Sequence, residues 1–131
     1  MKRLPNRASS LEALEGHQWP TPPPHATRLV ATTHALRRRP IGELTVEDLR
    51  LLIGQNVGLR HLLPLALEVL RDNPMAEGDL YEGDLLSAVL TTDHGVWTDF
   101  PDLGEDLRVI IDAMTTLPPE LRKRAETFLS S

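Results

Sequence analysis

The chain has 131 residues, 19 acidic against 14 basic side chains for a formal charge of -5, and no cysteine. That length fits one domain able to bury a core unaided. The missing thiols exclude disulfides, thiolate nucleophiles and sulfur-ligated zinc or iron-sulfur centres. No run approaches the roughly 18 apolar residues of a membrane span. The basic opening MKRLPNRASS leads into LEALEGHQW, not a continuous apolar stretch, so a soluble cytoplasmic protein is expected.

Along the chain, Ser9 and Glu12 have the spacing of a capping box. They predict a short helix over about 10–15 that stops at Gly16, with residues 1–9 as a flexible tail. Residues 16–25 include HQWPTPPPH, whose four prolines remove amide donors and predict an extended surface loop. Ala26, Leu29, Val30, Thr33 and Leu36 then recur at helical spacing as far as Arg37, Arg38 and Arg39, cations suited to a helix C-terminus, and Pro40 ends the segment. Thr45 followed by Asp48 is a second N-cap signal, with Val46, Leu49, Leu52 and Ile53 as the apolar face behind it.

Gly54 and Gly58 bracket a turn, after which Leu59 to Leu70 is apolar except at Arg60, His61 and Glu68, marking the most buried helix. Pro64 requires that this helix begin near Leu63 or be kinked there. Leu85, Leu86, Val89 and Leu90 make another seam, with Asp84 near its start. Leu103, Leu107, Ile110, Ile111 and Met114 form the cleanest amphipathic pattern, and Leu121, Ala125, Phe128 and Leu129 form the last, opened by Pro118 and Pro119. No segment alternates as a strand does. The sequence therefore predicts a single all-α domain over residues 1–131, an irregular bundle of about six or seven helices.

Charge is unevenly distributed. Residues 1–40 hold seven basic side chains against Glu12 and Glu15. No Lys or Arg lies between Arg71 and Arg108, where Asp72, Glu77, Asp79, Glu82, Asp84, Asp93, Asp99, Asp102, Glu105 and Asp106 fall. Such a surface repels phosphate and attracts a basic partner. The plainer reading is a solvated face that keeps the protein soluble. Arg37, Arg38 and Arg39 are too few to make a nucleic-acid site, and no nucleic-acid binding is expected.

Catalytic signatures are absent. His17, His25, His34, His61 and His94 lack the spacing of metal ligands on one helix face, and no nucleophile elbow, phosphate loop or dinucleotide fingerprint occurs. No catalytic, metal or cofactor residue is assigned. The doublet Glu77-Gly78-Asp79 and Glu82-Gly83-Asp84 departs from an EF-hand loop and reads more simply as a loop leading into an Asp-capped helix. Trp97 and Phe100, three residues apart among acids, suit either a core or an interface.

Several blocks between Leu29 and Trp97 carry a resemblance. They are His34-Ala35-Leu36-Arg37, Leu44-Thr45 through Leu-Ile-Gly-Gln-Asn56, Pro64-Leu65-Ala66-Leu67-Glu68, and Glu77-Gly78-Asp79 through Gly83-Asp84-Leu85-Leu86. Together they resemble the immunity proteins of bacterial contact-dependent growth inhibition (CDI). The resemblance implies a small cytoplasmic protein, not an enzyme, that binds and neutralises the toxin domain delivered by a neighbouring cell. Many such toxins are nucleases with basic clefts, so Glu77, Asp79, Glu82, Asp84, Asp93 and Trp97 become the candidate toxin-binding residues. The competing expectation is a helical ligand-binding protein or enzyme with His61, Glu68, Gln55 and Asn56 lining a pocket. Nothing in the sequence fixes an oligomeric state.

Overall fold

Capping and turn residues set most helix boundaries in the computed structural model, which describes residues 7–130. Helix α1 (Leu11–Glu15) is capped by Ser10, not Ser9, with the Ala13 amide donating to Ser10 Oγ at 3.2 Å, and it ends at Gly16 in the left-handed conformation. Helix α2 (Arg28–Leu36) is capped by Thr27. A single 3-10 turn follows at Ile41–Glu43, and α3 (Val46–Gly54) has a complete capping box between Thr45 and Asp48. Helices α4 (Leu59–Asp72), α5 (Asp84–Leu90), α6 (Gly95–Asp99), α7 (Pro101–Asp112) and α8 (Pro119–Leu129) complete the fold.

Among the described residues the architecture is all-α, as the sequence predicts, with eight α-helices where six or seven are expected. The additional element is α6. Phe100 precedes Pro101, whose ring disfavours helical geometry one residue back. Phe100 accordingly sits at φ -128°, ψ 71°, and the chain makes two helices in place of one entry into the amphipathic run. Pro101 then occupies the first helical position, where its missing amide costs nothing. Pro64 behaves differently: α4 starts five residues earlier, at Leu59, and runs through it, so the helix does not begin at the proline. The carbonyl that loses its helical donor belongs to Arg60, an exposed position where water can take its place.

Gly58 explains why α4 can start where it does. It has φ +64°, and a Cβ there would stand 2.7 Å from Leu11 Cδ1, so the turn admits only glycine while Leu11 is buried beneath it. Around that contact lies one contiguous core. Leu11, Leu52, Ile53, Leu62, Leu63, Leu70, Leu85, Leu86, Val89 and Leu107 are completely buried. Each such side chain contributes about 1.5–3 kcal/mol relative to exposure. Every residue of α5 is buried, which fits an element covered by α3, α4 and α8 and explains its unbroken Leu-Leu-Ser-Ala-Val-Leu run.

The arginine triplet is dispersed by the fold. Arg37, read from sequence as a helix-end cation, is only 1% exposed. Its Nη2 donates to Glu15 Oε1 at 2.8 Å and to the His17 carbonyl at 3.0 Å, and its guanidinium lies 4.1 Å from the centre of the Trp19 ring. Trp19 in turn meets His34 edge-on at 5.1 Å. The proline-rich segment is thereby strapped to α2. Arg38 and Arg39 point to Glu12 and Asp48 respectively. Of the tail expected to be flexible, residues 1–6 lie outside the described residues. Arg7 and Ser9 accept hydrogen bonds from Gly42 and Ile41, both at 3.0 Å, which holds that part against the 3-10 turn.

Candidate protein-docking site

The connection between α4 and α5, residues 73–83, has no regular secondary structure, yet its backbone is closely held. Asn73 starts it: Oδ1 accepts the Met75 amide at 3.2 Å and the Asn73 carbonyl accepts that of Ala76 at 3.0 Å. At the far end the Gly83 amide donates to the Met75 carbonyl, closing the loop at a left-handed glycine. Between these ends, four successive amides point inward onto two carboxylates. Asp84 accepts from Gly78 at 2.6 Å, Leu80 at 3.0 Å and Tyr81 at 3.4 Å, and Glu47 Oε1 accepts from Asp79 at 2.8 Å. Consecutive amides converging in this way form a concavity suited to negative charge.

Arg50 supplies the compensating cation. Its Nε and Nη2 lie 2.6 and 2.5 Å from the two oxygens of Glu47, and Nε is 3.8 Å from Asp84 Oδ2. The bidentate pair with Arg50, aided by the Asp79 amide, holds the Glu47 carboxyl below its ordinary pKa against the opposing effect of burial. Arg50 is correspondingly raised, chiefly by the hydrogen bond to Glu47. The packing leaves no room beneath the loop. A Cβ at Gly78 would come within 2.7 Å of Glu47 Oε1 and 3.2 Å of the Glu47 backbone.

With the backbone turned inward, the side chains face out. Glu77, Asp79 and Glu82 are exposed, as the docking expectation requires, and between them stand Leu80 at 63% and Tyr81 at 45% exposure. Asp84 needs correction as a surface residue. It is 2% exposed, and its oxygens are engaged by the loop, so it positions the neighbouring acids and offers no charge to a partner. It also differs from a simple helix cap, because its side chain turns back onto the preceding loop.

Asp93 and Trp97 lie elsewhere. Asp93 follows the opposite end of α5, about 10 Å along a seven-residue helix. There its amide donates to Asn56 Oδ1 at 3.2 Å and its Oδ1 accepts from Gly95. Trp97 is half-buried on α6, edge-on to Phe128 at 5.3 Å. It borders a half-open hollow of about 320 Å³ with His94, Pro101, Glu105 and Arg108. Acidic loop and tryptophan are therefore two separate places on the molecule.

The residues of the competing reading do not converge. Gln55 donates to Thr33 Oγ1 and the Leu51 carbonyl, Asn56 serves Asp93, and Glu68 pairs with Arg7. None of these contacts joins His61. Among the described residues, no three His, Asp or Glu side chains are placed to hold a metal ion.

The sequence profile of the CDI immunity proteins matches residues 13–107. The chain belongs to this family. A CDI immunity protein acts by neutralising a CDI toxin, and the matched span takes in the whole loop from Asn73 to Gly83. In this immunity protein α8 lies beyond the matched residues. Comparison with curated proteins gives no match. No helix among the described residues is long and apolar enough to cross a membrane.

Sequence reasoning missed Leu80, Tyr81, Glu47 and Arg50. Leu80 and Tyr81 had a readable signal: they are the two large apolar residues between the Glu-Gly-Asp repeats, where a purely solvating loop needs none. Glu47 and Arg50 look like ordinary polar positions on the outer face of α3, and only the tertiary approach of the loop gives them their role.

Proposed function

We propose that this immunity protein holds its cognate toxin domain against the loop carrying Glu77, Asp79 and Glu82. In this reading the toxin is a nuclease with a basic cleft, met in the cytoplasm, and neutralisation proceeds by binding, with no catalysis by this chain. The supporting observation is that these three exposed carboxylates stand on a loop whose backbone is already fixed by Asp84 and Glu47, within a stretch lacking any Lys or Arg. Fixed acids of one sign accelerate encounter with a basic surface and disfavour non-cognate partners of the wrong charge. Asp93 and Trp97 belong to a second, separate contact that a large toxin domain would reach.

The test is charge reversal at Glu77, Asp79 and Glu82 together, with Asp84 left intact to preserve the loop. Association with the cognate CDI toxin domain should slow by about tenfold or more at low salt, and its salt dependence should flatten. Unchanged affinity and unchanged salt dependence would show that the toxin docks elsewhere.

A further inference from the structure

Leu80 and Tyr81 are one of two adjacent pairs among the large exposed hydrophobic side chains of the described residues; the other is Leu29 and Val30 on α2, which has no acids beside it, and Val109 stands alone. Nothing in the loop's architecture asks for apolar residues there. The turn is made by Gly78 and Gly83, and the amides of Leu80 and Tyr81 are engaged by Asp84 through backbone atoms alone. Any pair of polar residues would make the same bonds and leave a more soluble loop. We propose that Leu80 and Tyr81 are the anchor of the toxin interface, inserted into an apolar recess on the toxin that is ringed by basic side chains.

The occupant follows from the charge around the pair. Glu77, Asp79 and Glu82 flank it on the same exposed loop, so a partner that covers the apolar surface must bring cations to its edge. A second copy packed loop to loop would bring the same acids against themselves. The acids and the apolar pair then divide the work: exposed rim charges govern encounter, while a desolvated tyrosine and leucine govern how long the complex lasts. A loop held by four inward hydrogen bonds presents the anchor with little ordering cost on binding.

The proposal rests on the docking reading above, and its test separates the two. Association and dissociation with the cognate CDI toxin domain are measured over a range of salt for Leu80→Ser with Tyr81→Ser, and separately for Glu77→Gln, Asp79→Asn and Glu82→Gln combined. The apolar variant should dissociate about thirtyfold faster or more with an unchanged salt slope, and the charge variant should show a flattened slope with little change in dissociation. Dissociation within twofold of the unaltered protein in the Leu80/Tyr81 variant overturns the anchor even if the charge variant behaves as expected. A salt slope left unchanged by the charge variant overturns the electrostatic docking and leaves the anchor standing. Sedimentation of the chain alone is the further control: a concentration-dependent dimer abolished by the two serines makes the patch a self-interface and overturns the proposal.

Discussion

The carboxylate of Asp84 accepts the amide of Gly78 at 2.6 Å, six residues back along the chain, while Asp84 itself heads α5 and is almost wholly buried. An acid in the first turn of a helix ordinarily faces water and favours the helix dipole from there. Here it faces the loop, and three amides depend on it. Asp84→Asn should cost nearly as much as Asp84→Ala, because one amide oxygen cannot replace two carboxylate oxygens and the new NH2 would oppose an inward amide. A loss of about 3 kcal/mol is expected in urea unfolding of either variant. Amide exchange at Gly78, Leu80 and Tyr81 should quicken well before the rest of the protein does. An asparagine variant as stable and as protected as the unaltered chain would show that charge and geometry at Asp84 are immaterial.

Arg37 makes a comparable case at the C-terminal end of α2. It joins a carboxylate, a backbone carbonyl and the face of Trp19, so its planar fork does three things that a lysine ammonium cannot do together. Arg37→Lys should therefore destabilise by about 1–3 kcal/mol, close to the loss in Arg37→Met. Hydrogen exchange is the discriminating measurement: protection should fall selectively over residues 17–27, which the strap holds, and remain over α4 and α5. Equal stability of the lysine variant would mean that the burial of Arg37 is tolerated and contributes nothing to holding the proline-rich segment.

These two residues mark the boundary of what the sequence discloses. Apolar spacing was enough to place α3, α4, α7 and α8, because their seams repeat at the helical period and the core that covers them is the reason for the repeat. Short elements depend on local chemistry that the period does not report, so α6 was hidden behind the Phe100-Pro101 break. Charged residues were the least legible. Asp84 and Arg37 look from the sequence like members of an acidic run and a basic run, and tertiary contact draws each out of its run into the interior. Glu77, Asp79 and Glu82 keep the exposure that the run implies, since their own backbone amides or those beside them satisfy the Asp84 and Glu47 carboxylates from the opposite side.

Glu47 carries the pH dependence of the loop. Its pKa is lowered first by the hydrogen bond to Arg50 and further by the Asp79 amide, and an acid whose folded pKa lies below its unfolded one stabilises the protein fully above the unfolded value. That contribution is lost as the pH falls from the ordinary value of 4.5 through the lower folded one, while Arg50 stays protonated throughout. Glu47→Gln removes the effect at its source: the new amide can still accept from Asp79, but its NH2 opposes the guanidinium. The variant should thus be less stable than the unaltered protein at neutral pH, and the gap in urea midpoint should narrow on acidification to about pH 3. Acid unfolding driven by the other carboxylates is common to both proteins and cancels in the difference. A gap that stays constant from neutral to acid would place the stabilising charge elsewhere than on Glu47, and the loop would have to be held by Asp84 alone.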